Sequence, residues 1–351
     1  MAAAPVLLSD PSSLAHNPSP SIPHPEQPAR MVAIERELEA RGWLGYERVR
    51  SPAAARSALT AVHPEAFVAG IESAATRGGA QIDADTVVSP GSFLAAAHAA
   101  GGAVELVDRL LSGAAPTGFS VHRPPGHHAE RARAMGFCLF NNVAVAARHA
   151  LSDAGCERVM IVDWDVHHGN GTNAIFHEDP RVLFVSLHQS PLYPGTGSPG
   201  DLGSGDGLGF TVNLPVAPGA GDEVFCSLVD GVAVPLARSF APQLLLISAG
   251  FDAHAEDPLA DCAVTDTGFA TMAAALRDVG AELACPVGGM LEGGYALLAL
   301  GRSVAETMAA LAGPAVVSRG SASARLLPEV AAARERLTPW WPDLGGEGLA
   351  S

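Results

Sequence analysis

Residues 159–170 read VMIVDWDVHHGN, a short apolar run that ends directly in aspartate, histidine and asparagine. Similar apolar runs occur at 119–121, 182–185, 244–247 and 287–291. They do not alternate apolar with polar residues, which is typical of strands buried on both faces of a sheet. Ala-rich amphipathic stretches between them predict helices. The alternation predicts an α/β protein with a doubly wound, mainly parallel sheet. The predicted helices cover residues 93–111, 142–151, 222–239 and 267–283.

Polar motifs follow each of these predicted strands. In chain order they are RPPGHH (123–128), DWDVHHGN (163–170), SLH (186–188), SAGFDAH (248–254) and EGGY (292–295). The carboxyl ends of parallel strands share one edge of the sheet, and open α/β sheets bind their ligands there. We therefore expect the motifs to converge on one crevice. Because they come from so much of the chain, we predict a single domain covering residues 1–351.

The two ends of the chain have a less regular sequence. Residues 1–28 become Pro-rich from Pro11 onwards and predict an irregular amino-terminal arm, which leads into a helix near 31–41. The tail at 314–351 is expected to pack on or beside the domain. Trp340 and Trp341 could anchor this tail to the body of the protein or to a second subunit, so a homo-oligomer is possible.

The composition excludes several classes of protein. All 21 residues in the lysine-plus-arginine total are arginine, so a Schiff-base, P-loop or kinase lysine is absent. The net charge of −16 opposes direct nucleic-acid binding. The apolar runs are too short to cross a membrane, and the N-terminus lacks the basic segment of a signal peptide, so we expect a cytoplasmic protein. The 5 widely spaced cysteines indicate reduced thiols.

Other catalytic patterns are absent or misplaced. Gly195, Gly197 and Gly200 form a GxGxxG pattern, but no apolar strand precedes it closely and no helix can begin within it. A dinucleotide site is therefore not expected. The chain contains neither a GxSxG nor an HExxH motif, which excludes serine hydrolases and zincin proteases of those types.

Asp165 and His167 are two metal-capable side chains placed two residues apart, directly after a predicted strand. On an extended segment, side chains at i and i+2 point the same way, so these two can share one ion. Asp252 follows the neighbouring predicted strand and is the natural third ligand, with a fourth position left for water. Two carboxylates and one imidazole suit catalytic zinc, with iron, manganese or cobalt as alternatives.

His127 and His128 form an adjacent pair after a Pro-Pro-Gly turn. Imidazoles titrate near neutral pH, so the pair can act as a general base and a general acid. Such histidines need polar partners that orient them, and Asp163 and Asn170 flank the metal motif. Tyr295 could donate its hydroxyl to an oxyanion that develops opposite the metal.

These motifs resemble the signature blocks of a known family. RPPGHHA, GFCLFNN, VDWDVHHGNGT, SAGFDAHAEDPL and LEGGY are similar to those of the histone deacetylase superfamily, nearer its class II and bacterial amidohydrolase branches. HPEQPARM at 24–31 resembles the family's amino-terminal motif, so the likeness covers about residues 16–310. The resemblance implies the arginase-deacetylase fold, a three-layer α/β/α architecture with an eight-stranded, mainly parallel sheet.

The resemblance also implies roles for individual residues. One Zn²⁺ per chain would be held by Asp165, His167 and Asp252, and Tyr295 would polarise the substrate carbonyl. Asp163 would be the polar partner of His127, and Asn170 would be the polar partner of His128. Histone-type enzymes often carry Asp at the position of Asn170. An uncharged partner raises the pKa of a histidine less than a carboxylate does, which leaves open how the two histidines divide the proton transfers. The other implied residues are Phe137 and Tyr193 as tunnel walls with Gly136 beside them, Arg30 at an internal acetate channel, and a structural K⁺ on the carbonyls of Asp163, Asp165 and His167 with Ser186 and Leu187.

The implied reaction is zinc-assisted hydrolysis of an N-acylated amine, in which one histidine activates water and the other releases the amine. In the family's polyamine-selective branch a glutamate follows the Asp-Pro of the third ligand segment, whereas this chain has Leu259. A polyamine tail would gain no charge partner from leucine, so acyl-lysine peptides or small acylated amines are favoured over acetylpolyamines. Asp83, Asp85, Glu256 and Asp257 are acids that could replace it. An arginase-like dimetal hydrolase and a non-catalytic acyl-lysine binder stay open as alternatives.

Overall fold

The computed structural model describes residues 3–18, 24–315 and 327–345. Its centre is an eight-stranded sheet in which every pair of neighbours is parallel. The strands are β1 (Val6–Ser9), β2 (Glu47–Arg50), β5 (Thr117–Ser120), β6 (Val159–Asp163), β7 (Val182–Gln189), β8 (Thr211–Val216), β9 (Leu244–Ala249) and β10 (Val287–Leu291), and a separate hairpin pairs β3 (Ala80–Gln81) with β4 (Val87–Val88). The order across the sheet is β2-β1-β5-β10-β9-β6-β7-β8. The predicted eight-stranded parallel sheet is confirmed.

Helices cover both faces of the sheet. They are α1 (Ser12–Ala15), α2 (Ala29–Ala40), α3 (Arg56–Thr60), α4 (Glu65–Thr76), α5 (Ser92–Leu111), α6 (Asn142–Ser152), α7 (Asn170–Phe176), α8 (Asp222–Leu228), α9 (Val234–Phe240), α10 (Asp266–Glu282), α11 (Leu297–Ala312) and α12 (Pro328–Leu337). Along β6, Val159 and Ile161 belong to one buried apolar cluster, and Met160 and Val162 belong to the other. Both faces of the central strands are therefore buried, which explains why their sequences lack alternation.

The amino terminus differs from the irregular arm predicted for residues 1–28. Val6–Ser9 forms strand β1, which lies between β2 and β5, and Ser12–Ala15 forms a short helix. Val6 and Leu8 are fully buried. The prediction is wrong for these residues, because the three apolar residues at 6–8 are enough to fill a place inside the sheet.

The two strands at the edges of the sheet were not predicted either. Strand β2 has the polar sequence ERVR and is mostly exposed, and β8 contains Pro215. An edge strand has one neighbour only, so it tolerates polar side chains and a residue without an N–H. Edge strands therefore carry a weaker sequence signal than the central strands.

The helix predicted at 222–239 is divided in the structure. A π-helical turn at Val229–Ala233 separates α8 from α9. Pro235 lacks the N–H that an α-helix would direct to the carbonyl of Gly231. The Nε of Arg334, on α12, donates to that carbonyl at 2.7 Å. A side chain from the carboxyl-terminal tail thus replaces a hydrogen bond that the helix cannot make.

The described part of the tail packs against the main body. Trp341 is buried, its indole Nε1 donates to the carbonyl of Gly209 at 2.8 Å, and its ring packs against Phe210 and Phe240. Trp340 remains 37% exposed. Residues 316–326 and 346–351 of the predicted tail lie outside the described residues. The extent of the domain, 1–351, stays a prediction.

The central strands bring the polar motifs together. Strands β5, β10, β9, β6 and β7 are consecutive neighbours, and the five motifs lie at their carboxyl ends. SLH (186–188) does not follow its strand as predicted but forms the carboxyl-terminal part of β7. Asp163, the last residue of β6, lies opposite Ser248 on one neighbour and Ser186 on the other. Among the described residues, no helix is long and apolar enough to span a membrane.

Candidate active site

The three predicted metal ligands form one buried cluster. Asp165, His167 and Asp252 each offer a ligand atom, and these atoms all lie within 4.8 Å of one another. The Nδ1 of His167 is 3.1 Å from Asp165 Oδ1 and 3.1 Å from Asp252 Oδ2. Burial lowers the pKa of His167, but the two carboxylates outweigh it and raise this pKa to about 10. A buried site that concentrates negative charge around one imidazole fits a divalent cation.

The backbone of the ligand segment is bent and does not continue the strand. Strand β6 ends at Asp163, and 165–167 form a bend. Asp163 Oδ1 accepts from the N–H of Asp165 at 3.1 Å, and Asp165 Oδ1 accepts from the N–H of His167 at 2.9 Å. Such side-chain turns fold the chain locally. The expected extended geometry is therefore wrong, although the two side chains still converge.

A glycine makes room for the ligand carboxylates. A Cβ on Gly293 would lie 2.1 Å from Asp252 Oδ2 and 2.6 Å from Asp165 Oδ2. The N–H of Gly293 donates to Asp165 Oδ2 at 2.9 Å, and the N–H of Val166 donates to Asp252 Oδ1 at 2.9 Å. Gly293 is thus required for the close approach of the segment that follows β10 to the metal cluster.

The tandem histidines lie beside this cluster. Their ring centroids are 4.0 Å apart, and the ring of His128 is 5.8 Å from that of His167. His127 Nδ1 pairs with Asp163 Oδ2 at 3.0 Å, and His128 Nδ1 pairs with Asn170 Oδ1 at 2.8 Å. Each histidine thus has the partner that the resemblance implied.

The different partners give the two histidines opposite protonation tendencies. Burial lowers the pKa of His127, but the charges of Asp165 and Asp163 outweigh it and raise this pKa well above its usual value. Burial and the neighbouring charge of His127 lower the pKa of His128 well below its usual value. Burial raises the pKa of the Asp163 carboxyl to about 6, although His127 opposes this rise. The site therefore favours a protonated His127 beside a neutral His128.

Tyr295 and Arg30 pack against each other. Tyr295 is 9% exposed, and the Arg30 guanidinium carbon lies 5.0 Å from the centre of its ring. Arg30 is fully buried, and it donates to the carbonyl of Gly294 at 2.7 Å and to that of Glu292 at 2.5 Å. Burial raises the pKa of the Tyr295 hydroxyl well above its usual value, so this hydroxyl keeps its proton and can donate it in a hydrogen bond.

The predicted tunnel residues surround the same site. The ring of Phe137 is 5.7 Å from that of Tyr295, and the ring of Tyr193 is 5.2 Å from that of His128. Tyr193 is 38% exposed, as expected for a residue at the mouth of a tunnel. A Cβ on Gly136 would lie 2.4 Å from Cδ2 of His128, so this glycine lies against the imidazole. Leu259 is half-buried, and its N–H donates to Asp257 at 3.0 Å.

The residues of the implied potassium site are also close together. Asp163 and Ser186 are directly paired on neighbouring strands, and Leu187 follows Ser186 on β7. Asp165 and His167 lie in the bend after β6. The Ser186 hydroxyl is hydrogen-bonded to His188 Nδ1 at 2.9 Å. The potassium site itself stays a prediction.

Two further buried carboxyls, Glu292 and Asp257, hold the catalytic segments. The sequence pointed to Asp257 only as an acid that could replace the missing glutamate, and it did not single out Glu292. Glu292 Oε2 accepts from the N–H groups of Gly126 and His127, at 2.6 Å and 3.1 Å. Asp257 Oδ2 accepts from the N–H of Tyr295 at 2.6 Å. Burial raises the pKa of Glu292 to about 7, and burial together with Asp252 raises that of Asp257 to about 7. In the sequence, Glu292 is marked only by its place in the glycine-rich EGGY motif, and Asp257 only by its place in SAGFDAHAEDPL, the motif that carries the ligand Asp252.

The structure closely resembles a solved histone deacetylase domain. The crystal structure of the HDA15 HD domain matches with a TM-score of 0.90 and 35% sequence identity, covering 98% of this chain and 97% of that one. The fold and the arrangement of the site at the carboxyl edge define an α/β/α protein of the arginase-deacetylase class. The fold expected from the resemblance is confirmed.

The sequence comparisons then identify the family. Residues 24–311 match the histone deacetylase domain family. Histone deacetylase 10, chloroplastic, from Oryza sativa subsp. japonica is 40% identical over 329 residues, which cover 87% of this chain and 74% of that protein. The histone deacetylase-like amidohydrolase of Pseudomonas aeruginosa is 37% identical over 300 residues, covering 84% and 78%. This chain belongs to the histone deacetylase family.

Membership in this family supports hydrolase activity on acylated amines. A probable deacetylase of Archaeoglobus fulgidus, 40% identical over 289 residues that cover 81% of this chain and 79% of that protein, is a further relative. The cytoplasmic location expected from the sequence stays a prediction, since the rice relative is described as chloroplastic.

Proposed function

We propose that this protein is a zinc-dependent amidohydrolase that removes acetyl or other acyl groups from N-acylated amines. The observation that carries the proposal is the buried cluster of Asp165, His167 and Asp252, which lies against the tandem histidines. Tyr295 is close in the chain to Gly293, whose N–H binds Asp165. When bound, zinc would act as a Lewis acid that polarises the acyl carbonyl and makes water more acidic. The residues of the chain then have to orient the substrate and move the protons.

His128 is the proposed general base. The Oδ1 of Asn170 can only accept a hydrogen bond, so the Nδ1 of His128 carries the hydrogen and its Nε2 is left with a lone pair. The lowered pKa of His128, caused by burial and by His127, keeps this ring neutral. A neutral imidazole with a free Nε2 can take a proton from the attacking water.

His127 is the proposed source of the proton for the leaving amine. Its Nδ1–H donates to Asp163, and the nearby carboxylates raise its pKa against the effect of burial. A histidine that holds its proton at neutral pH can supply it as the C–N bond breaks. Tyr295, whose hydroxyl stays protonated, would donate to the developing oxyanion.

The rim of the site supports acyl-lysine peptides or small acylated amines over acetylpolyamines. Leu259 stands where polyamine-selective relatives carry a glutamate. The other acids considered for that role have partners: Asp83 accepts from the N–H groups of Asp85 and Thr86, Asp85 accepts from the Thr86 hydroxyl, Glu256 pairs with Arg302, and Asp257 binds Tyr295. A cationic polyamine tail would have to displace Arg302 from Glu256, and Asp257 is buried, so among these acids only Asp83 and Asp85, whose donors are uncharged, are left to attract it.

The metal proposal is tested by chelation and reconstitution. Chelated protein should lose turnover of a fluorogenic acetyl-lysine substrate, and added Zn²⁺ should restore it with one ion per chain by elemental analysis. Asp252→Ala should lose both metal and activity. Asp179→Ala, which removes surface ion pairs with Arg148 and Arg181, is the control and should keep both. Full turnover after complete chelation would contradict the proposal.

The substrate proposal is tested by comparing kcat/KM for an acetyl-lysine peptide with that for N-acetylputrescine and N8-acetylspermidine. We expect the peptide to be preferred and Leu259→Glu to improve turnover of the polyamines. A preference for the polyamines above about tenfold, which corresponds to about 1.4 kcal/mol in transition-state stabilisation, would reject the lysine assignment in favour of an acetylpolyamine amidohydrolase.

Simple measurements distinguish two other functions from the proposed amidohydrolase activity. An arginase-like dimetal hydrolase needs a second group of ligands, whereas one cluster is found among residues 3–18, 24–315 and 327–345. Elemental analysis showing two transition ions per chain would favour that alternative. Absence of turnover with every acylated amine, despite bound zinc, would favour a non-catalytic acyl-lysine binder. A structural K⁺ at Asp163, Asp165, His167, Ser186 and Leu187 is a further part of the proposal, tested by the dependence of activity on added K⁺.

A further inference from the structure

The partner of His128 is itself held by a second side chain. Asn170 Nδ2 donates to Glu130 Oε1 at 2.9 Å, and it also lies 3.4 Å from the carbonyl of His128 and 3.4 Å from Met135 Sδ. On the other side of the same amide, Oδ1 faces His128 Nδ1 at 2.8 Å. Asn170 therefore connects the imidazole of His128 to the carboxylate of Glu130.

Glu130 determines which way the Asn170 amide points. An asparagine amide can be turned by 180°, which exchanges its donor and acceptor ends. In the turned orientation the Oδ1 of Asn170 would face the Glu130 carboxylate and the His128 carbonyl, and these groups all repel one another. The negative charge of Glu130 therefore holds Nδ2 towards itself and Oδ1 towards His128.

This orientation fixes the tautomer of His128. Oδ1 accepts only, so the hydrogen of a neutral His128 must be on Nδ1. With the amide turned, an NH₂ group would face Nδ1, and the hydrogen would be on Nε2 instead. The ring would then have no lone pair on Nε2 with which to take a proton from water.

The two histidines thus differ in how each is connected to a carboxylate. His127 contacts Asp163 directly at 3.0 Å, whereas His128 reaches Glu130 only through an intervening amide. The amide transmits orientation without placing a full charge against the ring. This arrangement gives His128 a fixed tautomer without the strong rise in pKa that a direct carboxylate produces.

The backbone around Glu130 is suited to such a role. The N–H of Glu130 donates to the carbonyl of Arg133 at 2.9 Å, and the N–H of Arg133 donates back at 3.4 Å. Asn141 Nδ2 donates to the carbonyl of Ala129 at 3.2 Å. The loop that follows the tandem histidines is therefore tied down on both sides of Glu130.

We propose that Glu130 is a positioning residue that orients Asn170 and thereby keeps His128 in the tautomer needed for a general base. The inference rests on the proposed amidohydrolase function. Glu130 contacts neither the metal cluster nor the substrate-binding residues in any of the described hydrogen bonds, so its effect should pass through Asn170 alone.

The first test compares Glu130→Leu, Glu130→Gln and a matched control. Glu130→Leu removes the acceptor and should lower kcat by about 10- to 100-fold, the usual cost of losing an outer partner of a catalytic histidine, with KM changed less than about twofold. Glu130→Gln keeps an acceptor without the charge and should fall between Glu130→Leu and the wild type. The control Glu105→Gln removes a half-buried glutamate that pairs with Arg109 on α5, and it should leave kcat unchanged.

The second test exchanges the partners. Asn170→Asp would place two carboxylates in contact and should lower kcat. Adding Glu130→Gln supplies an amide donor for the new carboxylate, so the double variant should be at least about threefold faster than Asn170→Asp, as expected for directly coupled residues. A purely structural role would instead make the double variant slower than either single variant.

A third readout does not depend on turnover. ¹⁵N NMR of histidine-labelled protein should show His128 with its hydrogen on Nδ1 in the wild type and a mixture of tautomers in Glu130→Leu. Wild-type kcat in Glu130→Leu, no rescue in the double variant, or an unchanged tautomer would overturn the proposal. A wild-type protein that hydrolyses no acylated amine would reject the proposed function, while the NMR experiment would still decide the orienting role of Glu130.

Discussion

The proposed role of the Tyr295 hydroxyl in stabilising the oxyanion can be tested by removing its oxygen atom alone. The backbone of Tyr295 is held by Asp257, and its ring packs on Phe137 and Arg30, so the ring of Tyr295→Phe should occupy the same place. Loss of the hydroxyl should lower kcat about 10²- to 10³-fold, as removal of one oxyanion donor usually does, while zinc content is unchanged.

The matched control for this variant is Tyr46→Phe. The hydroxyl of Tyr46 is also buried and donates to the carbonyl of Met308 at 2.8 Å, but it lies outside the site. Its removal should cost about 1–3 kcal/mol of unfolding free energy and leave kcat unaffected. Near wild-type kcat in Tyr295→Phe would exclude a catalytic role for its hydroxyl.

A substitution at Gly136 tests how closely His128, the proposed general base, is packed. Gly136 has a φ of +55°, and a Cβ there would lie 2.4 Å from the ring of His128. Gly136→Ala should therefore displace His128 and lower kcat by at least about tenfold, since small misplacements of reacting groups are costly. Gly113→Ala is the control: its φ is +71°, but nothing lies within 4 Å of the added Cβ. It carries a similar backbone strain, and kcat should not change.

At the level of elements, the π-helical turn between α8 and α9 depends on the carboxyl-terminal helix. Arg334 donates to the Gly231 carbonyl that Pro235 leaves without its helical partner. Arg334→Ala should lower the free energy of unfolding by about 1–3 kcal/mol, the cost of an unpaired buried acceptor, with little change in kcat.

Chemical denaturation with circular dichroism measures this difference in stability. Arg36→Ala is the control, because Arg36 is exposed on α2. Equal unfolding midpoints for the two variants would contradict the idea that α12 completes the divided helix.

At the level of the whole molecule, Glu292 predicts how stability depends on pH. Burial raises the pKa of this carboxyl from 4.5 to about 7, so the folded state binds its proton more tightly than the unfolded state does. The free energy of unfolding should therefore fall as pH rises from about 4.5 to about 7. This single group would contribute a loss of up to about 3 kcal/mol.

Glu292→Gln should remove that contribution. The carboxamide oxygen of glutamine can still accept from the N–H groups of Gly126 and His127, so the segment that carries the histidines keeps its anchor. Denaturation of metal-free protein should show a smaller loss of stability between about pH 4.5 and about pH 7 than in the wild type. Glu329→Gln, on the exposed side of α12, is the control. Identical pH slopes for wild type and Glu292→Gln would show that the buried carboxyl does not control this dependence.

The amino-acid sequence alone was enough to predict the core of the sheet and the set of residues gathered at its edge. The central strands are unbroken apolar runs because both of their faces are buried, and that requirement is visible in each strand separately. Asp165, His167 and Asp252 could likewise be chosen from local motifs, since each follows a strand whose carboxyl end must face the same crevice.

The tertiary structure decided which groups hold these residues in place. Glu292 binds backbone N–H groups 165 and 166 positions earlier in the chain, Arg334 binds a carbonyl 103 positions away, and Glu130 reaches Asn170 across 40 positions. It also placed β1 inside the sheet, where the sequence suggested an irregular arm. Local patterns record whether a residue is buried, but the partner of a polar group depends on where distant backbone atoms come to lie, and only the folded chain brings those atoms together.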